Sequence, residues 1–134
     1  MKGLIAAYFS AALVMAGLDL AWLSQTGDAL YRANLGVVMA EKLASLPAAV
    51  LFYLLYIGGI VYFGVRPGLA DGDWKTALIG GLLFGFFCYM TYDLTNLATL
   101  RVWSVKVTVI DIAWGCCVSG AASLAGYAAA STIK

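Results

Sequence analysis

The amino-acid sequence predicts an all-α fold: an integral membrane bundle of four transmembrane helices that run up, down, up and down. Of its 134 residues, 63% are hydrophobic and only 11% are charged, and the mean hydropathy is +0.92. Soluble domains carry about 25% charged residues, so this composition does not suit a water-soluble fold. Four apolar runs also reach the roughly 17–25 residues that a helix needs to span hydrocarbon. The length fits a single domain over residues 1–134.

The first apolar run predicts a transmembrane helix over residues 4–24. At about twenty residues it is longer than the apolar core of a typical secretion signal. The following connection, Gln25 to Leu46, is the longest in the chain. Thr26 is placed to cap a helix that starts near Asp28, so we predict a short interfacial helix between the first two spans.

The remaining spans are predicted over residues 47–65, 76–100 and 106–130. Pro47 suits the first turn of the second span, where its missing N–H costs nothing. The run Arg66-Pro67-Gly68 is expected to end that helix, because proline and glycine continue a helix poorly. The connection between the last two spans is very short, so they should be antiparallel neighbours.

Small residues on the third and fourth spans predict close helix packing. Gly81 and Gly85 form a GxxxG pattern, and the fourth span carries small residues on one face, namely Gly115, Ser119, Ala122 and Gly126. Such faces let helices approach until van der Waals contact holds them. Packing within the chain is the first interpretation, and a homodimer contact is the alternative.

Charge and composition exclude several classes of function. The net charge of +1 gives no reason to expect a nucleic-acid partner. Histidine is absent, which removes Ser-His and Cys-His catalytic pairs and histidine-ligated haem, so no cofactor or metal site is predicted. Orientation stays open, because the basic residues divide equally between the two sides: Lys2, Arg66, Lys75 and Lys134 on one, and Arg32, Lys42, Arg101 and Lys106 on the other.

Three aspartates lie inside the apolar runs: Asp19, Asp93 and Asp111. An ionisable residue in a membrane span is costly and marks a functional site or a buried polar network. Counted from the helix ends, all three lie at depths of roughly 7 to 10 Å. In an up-down-up-down chain these ends face the same side, so the three carboxyl groups should meet in one leaflet.

Polar and aromatic neighbours extend this acidic cluster. Helical spacing puts Tyr89 and Asn96 on the face of Asp93, while Tyr92 and Thr95 offer further hydroxyl groups beside it. The segments Leu18–Trp22 and Ile110–Trp114 are near copies, each with tryptophan three residues after aspartate. The predicted ligand- or proton-binding residues are therefore Asp19, Trp22, Tyr89, Tyr92, Asp93, Thr95, Asn96, Asp111 and Trp114.

The cost of burying three acids must be offset within the fold. We expect at least one of them to hold its proton near neutral pH, and the cluster to titrate as a unit. Arg101 or Lys106 could extend inward and pair with another acid. If the near copies are a true duplication, two similar half-sites should flank Asp93.

Several segments together resemble a known family. They are Leu18-Asp19 with Trp22-Leu23, Phe52–Tyr56, Tyr92–Leu100 and Val109–Gly115. They are similar to the bacterial membrane family catalogued as domain of unknown function 2177, and the run Tyr-Asp-Leu-Thr-Asn-Leu-Ala-Thr is the most specific part. The resemblance covers nearly the whole chain. It implies a multi-pass protein of the bacterial inner membrane with four helices, and it implies no particular activity.

The residues themselves leave several functions open. The first is binding or transport of a small ligand (an amphiphile, a cation or a proton) at the acidic cluster. A second is an intramembrane enzyme acting on lipid or peptide, in which paired aspartates share a proton and activate water. A third is an accessory subunit of a larger membrane complex or a homo-oligomer. The alternative to all three is a polar network that only holds the helices in register.

Overall fold

The computed structural model describes residues 1–133, so Lys134 and its assignment to one side lie outside the described residues. Within that range the chain forms four long helices and no strand: α1 (Lys2–Leu35), α2 (Leu46–Asp71), α3 (Trp74–Thr99) and α4 (Val105–Ser131). Each is long and apolar enough to cross a membrane. The predicted four-span all-α class is confirmed.

The connection after the first span differs from the prediction. Residues Gly27–Arg32 form a π-helical segment and Ala33–Leu35 continue it, so they extend α1 and form no separate interfacial helix. The Thr26 hydroxyl donates to the carbonyl of Trp22 at 2.7 Å and does not cap a new helix. Gly27 keeps right-handed helical angles, and no proline interrupts the segment.

Helix α2 begins as predicted but ends later. Ser45 caps it by accepting a hydrogen bond from the Ala48 N–H at 3.3 Å, and Pro47 lies in the first turn. The expected end at Arg66-Pro67-Gly68 is wrong, because the helix continues to Asp71. A π-helical segment, Val61–Val65, precedes the proline and shifts the hydrogen-bond register there, which lets the helix pass a residue without an N–H.

Two short connections make α2, α3 and α4 antiparallel in succession. Gly72 ends α2 in the left-handed conformation with φ of 65°, which glycine adopts without strain. The Asp73 side chain then caps α3 by accepting from the Lys75 N–H at 2.9 Å. Ser104 caps α4 in the same way, accepting from the Val107 N–H at 3.2 Å. We call the end of the bundle at Gly72 the turn side, and the opposite end, with residues 36–45 and 100–104, the loop side.

Helix α4 lies at the centre of the bundle and contacts the other three. Two of its predicted small residues, Gly115 and Ser119, lie against the GxxxG glycines of α3, whereas Gly126 lies against Ala7 of α1 and Val65 of α2. A Cβ atom on Gly81 would lie 2.5 Å from the Ser123 Cβ and 2.7 Å from the Ser119 carbonyl oxygen. Only glycine permits this approach, which draws α3 against α4.

Helix α2 packs closely only on the turn side. Between residues 46 and 55 no side chain is fully buried, whereas Ile60, Gly64, Val65 and Gly68 are. A Cβ on Gly68 would lie 2.6 Å from the Ala77 Cβ of α3. The loop-side half of α2 therefore stands away from α3 and leaves a cavity between them.

Candidate ligand-binding site

The space beside the loop-side half of α2 is a cavity of about 1110 Å³, which we call the larger cavity. All four helices contribute to its wall, and most of the lining side chains are aromatic or aliphatic. Several lining residues are also exposed on the outside of the bundle, namely Phe52, Phe63, Leu83, Phe87 and Tyr92. The larger cavity therefore opens sideways, towards the surface that faces lipid.

Asp19 lies at the wall of the larger cavity and is only 7% exposed. Its carboxylate accepts two hydrogen bonds, one from the Tyr53 hydroxyl at 2.7 Å and one from the Trp114 indole Nε1 at 2.9 Å. These donors come from α2 and α4. The acid is thus satisfied by neutral groups and joins three helices.

Asp111 is 9% exposed and accepts a hydrogen bond from the Tyr31 hydroxyl. The Tyr31 oxygen in turn accepts from the Trp22 indole Nε1 at 3.0 Å. Tyr31 reaches this position because α1 continues as a helix past Thr26. Sequence reasoning missed Tyr31 because it placed this residue in a separate interfacial segment.

The two near-copy motifs meet in the structure. Trp22 and Trp114 stack face to face, with ring centroids 4.4 Å apart and planes 6° apart. Each indole serves the acid of the other motif, since Trp114 donates to Asp19 directly and Trp22 reaches Asp111 through Tyr31. Because α1 and α4 are antiparallel, the motifs form two similar half-sites around the stacked rings.

Asp93 lies apart from these half-sites, beside a second and smaller cavity of about 380 Å³. Asp111, Tyr31 and Tyr92 line both cavities, whereas Asp19 lines only the larger one. Asp93 is 0% exposed, and within residues 1–133 no hydroxyl, indole or amide group donates to its carboxyl oxygens. The side chain with which it can share a hydrogen bond is the carboxyl group of Asp111. The expectation that Asp93 lies between two half-sites is therefore wrong, because of the other two acids only Asp111 lies beside it.

Most of the predicted site residues line one of the two cavities. Those of the larger cavity are Asp19, Trp22, Tyr89, Tyr92, Asp111 and Trp114, and those of the smaller include Asp93 and Asn96. Thr95 lines neither, because its side chain is exposed and its hydroxyl donates to the carbonyls of Thr91 and Tyr92 on its own helix. Its polar group is used locally, which helical spacing alone did not reveal.

The expected pairing of an acid with Arg101 or Lys106 is not seen, since both basic residues are exposed. In the described part of the chain the ion pair joins Arg32 to Asp28 at 3.2 Å, on the surface. Tyrosine and tryptophan take the place of the cations. Sequence reasoning also missed Tyr53. Its spacing of one helical turn from Tyr56 could have identified it, because both residues line the larger cavity.

The lining of both cavities favours positive charge. No lysine or arginine among residues 1–133 lines either of them. Aromatic faces attract cations through the ring quadrupole, most strongly where water is excluded. The larger cavity thus combines two carboxyl groups with an aromatic wall and, in the described chain, no basic residue.

Comparison with known proteins places the chain among membrane proteins. A family model described as "Predicted membrane protein (DUF2177)" matches residues 4–128. No curated protein and no solved structure matches the chain.

Proposed function

The chain belongs to the DUF2177 family of membrane proteins, and we propose that it binds a small cationic amphiphile in the larger cavity. The observation that supports this most is the pair Asp19 and Asp111 at the wall of an aromatic cavity whose described lining holds no basic residue. A neutral apolar ligand would have no use for two acids placed there at a cost in folding free energy.

The amphiphilic part of the proposal rests on the shape of the larger cavity. Its two acids are buried, and Asp19 there receives the Tyr53 and Trp114 donors, while the exposed part of its lining is mostly apolar and includes Phe52 and Phe87. A ligand with one charged end and an apolar tail would place the charge at the acids and the tail through the side opening. Such a ligand would enter from the bilayer, as ligands with apolar tails partition there.

Binding is tested with two probes of equal chain length, a long-chain alkyl ammonium and the matching alcohol. Purified protein in neutral detergent is titrated with each, and quenching of tryptophan fluorescence reports occupancy because Trp22 and Trp114 line the larger cavity. We expect the ammonium to bind at least about tenfold more tightly, a difference of roughly 1.4 kcal/mol. Equal affinities for the two probes would overturn the proposal.

The matched variants are Asp19→Asn and Asp71→Asn. Asp19 lines the larger cavity, whereas Asp71 is exposed on the turn side. Asp19→Asn removes a charge near the bound ammonium and should raise its Kd by about tenfold, with little change for the alcohol. Asp71→Asn should leave both values unchanged. A loss of affinity that is the same for both probes would assign Asp19 a structural role only.

We further propose that the protein lies in the inner membrane of a bacterium, as the family resemblance implies, and that it transports the amphiphile that it binds. The alternative of an accessory subunit predicts a second protein in fixed stoichiometry after purification in mild detergent. A lone chain that binds the ammonium probe would favour the binding function.

A further inference from the structure

The smaller cavity differs from the larger one in position and lining. It lies at the loop side and is lined by Val38 and Met39 of one connection and by Leu100 and Trp103 of the other. Both connections leave the helical bundle there, where a membrane span meets the aqueous interface. Water that enters from the loop side would therefore reach the smaller cavity first.

Asp93 is the one carboxyl group at the smaller cavity that receives no hydrogen bond from a neutral donor in residues 1–133. The group beside it that can share a proton with it is the carboxyl of Asp111. The Asp93 side chain is completely buried, so bulk water does not solvate it either. A charged carboxylate held in this way would cost several kcal/mol, whereas a neutral acid costs far less. A buried acid that receives no hydrogen bond from a neutral donor is therefore least costly when it holds a proton of its own.

The groups that face Asp93 set the sign of what it can bind. Helix α4 contributes Asp111, α1 contributes Tyr31, and α3 itself contributes Tyr92 and Asn96. Helix α2 contributes no residue to this cavity. None of these carries positive charge. The nearest basic residues in sequence, Arg101 and Lys106, are exposed and do not line the cavity.

We infer that Asp93 is a proton-binding site served by the smaller cavity, and that a cation bound in the larger cavity displaces its proton through Asp111. When the proton is displaced, the carboxyl O–H bond of Asp93 breaks, water in the smaller cavity accepts the proton, and Asp93 remains as a carboxylate. The displacement of the proton by a cation rests on the proposed binding of a cationic amphiphile, whereas the proton site at Asp93 does not.

Asp111 provides the connection because it lines both cavities. A positive ligand beside Asp111 offsets negative charge there and so lowers the cost of a second negative charge on Asp93. A proton on Asp93 removes that benefit, so proton and cation compete across the wall formed by Asp111, Tyr31 and Tyr92. By linkage the competition is reciprocal: raising the pH should strengthen cation binding by the same factor that the cation weakens proton binding.

The proton site is tested without any ligand by infrared spectroscopy of protein carrying isotope-labelled aspartate. We expect a carbonyl band of a neutral carboxylic acid at neutral pH, which shifts with the label and is lost in Asp93→Asn. Asp71→Asn, at an exposed acid, should keep the band. Asp93→Leu provides a second variant if the asparagine protein is unstable. A band absent from the wild-type protein, or unchanged when Asp93 is replaced, overturns the proton site.

The coupling is tested by adding the alkyl ammonium probe to weakly buffered protein with a pH indicator dye. We expect about one proton released per probe bound, and a Kd that falls by up to tenfold per pH unit on alkalisation. Asp93→Asn should bind the probe with no proton release and no such pH dependence. Probe binding without proton release in the wild type refutes the coupling. Absence of probe binding beside an intact Asp93 band refutes the proposed function and leaves the proton site standing.

Discussion

The two ends of this bundle are built on opposite principles. On the turn side, small residues bring the helices together: Gly68 lies against Ala77, and Gly81 against Ser119 and Ser123. On the loop side, aromatic rings lie between them and the smaller cavity lies there, while the larger cavity extends from the loop side as far as Phe63 and Gly80. The same four helices thus form a closed half and an open half.

The transition between the halves is visible at Phe84 of α3. Its ring lies on Gly59 of α2, where a Cβ atom could not be accommodated, and stacks on Phe63 with centroids 5.4 Å apart. Towards the loop side of this ring, the contact between α2 and α3 is made by the rings of Tyr56 and Tyr89, whose centroids lie 6.2 Å apart. Close packing in the closed half therefore supplies stability, and this stability allows the open half to keep buried acids and cavities.

Polar groups follow the same division. In the closed half, the Ser123 hydroxyl donates to the Ala77 carbonyl oxygen at 2.7 Å, a neutral bond to a backbone group. In the open half, acids receive bonds from tyrosine and tryptophan, and Asp93 receives none in residues 1–133.

The largest expected effect is on the closed half. Gly81→Ala places a methyl group 2.5 Å from the Ser123 Cβ and should reduce the free energy of unfolding by about 3 kcal/mol, because α3 and α4 must separate. Gly58→Ala is the control, since a Cβ there meets nothing within 4 Å and should be neutral or stabilising. Unfolding in mixed micelles followed by circular dichroism measures both. Equal destabilisation would contradict the division into halves.

A smaller effect separates the acids of the open half. Asp19→Leu leaves the Tyr53 hydroxyl and the Trp114 indole without their acceptor and should cost about 2 kcal/mol. Asp93→Leu removes an acid that receives no hydrogen bond from a neutral donor and lies against the Asp111 carboxyl, beside a cavity that has room for the new side chain, and should leave stability unchanged or raise it. The same unfolding measurement decides. Strong destabilisation by Asp93→Leu would mean that Asp93 has a structural partner.

The smallest effect compares single hydrogen bonds in the two halves. Trp114→Phe keeps an aromatic ring against Trp22 but removes the donor to Asp19, and should cost about 1.5 kcal/mol. Ser123→Ala should cost only about 0.5 kcal/mol, because the Ala77 carbonyl keeps its helical hydrogen bond. A larger loss of stability for Ser123→Ala than for Trp114→Phe would show that the open half does not depend on the hydrogen bonds to its acids.

Much of this protein follows from sequence, because the membrane restricts the choices. In hydrocarbon every backbone polar group must be satisfied internally, so four long apolar runs can only become four helices. Helix order alone then places Asp19, Asp93 and Asp111 at one end. Helical spacing was less informative, because Tyr89 lines the larger cavity whereas Asp93 lines the smaller one. The small-residue face of α4 also follows from spacing, since close packing requires it.

Tertiary structure decided the rest, because it depends on how helices continue, diverge and rotate against each other. Neither the passage of α2 beyond Pro67 nor the extension of α1 through Tyr31 follows from local residue preferences, since π-helical segments arise from packing. The same holds for the partners of each acid. Helix order brought the three carboxyl groups to one end of the bundle. The angles between the helices decided that Asp19 and Asp111 accept hydrogen bonds from tyrosine and tryptophan, and that Asp93 adjoins Asp111 at the smaller cavity.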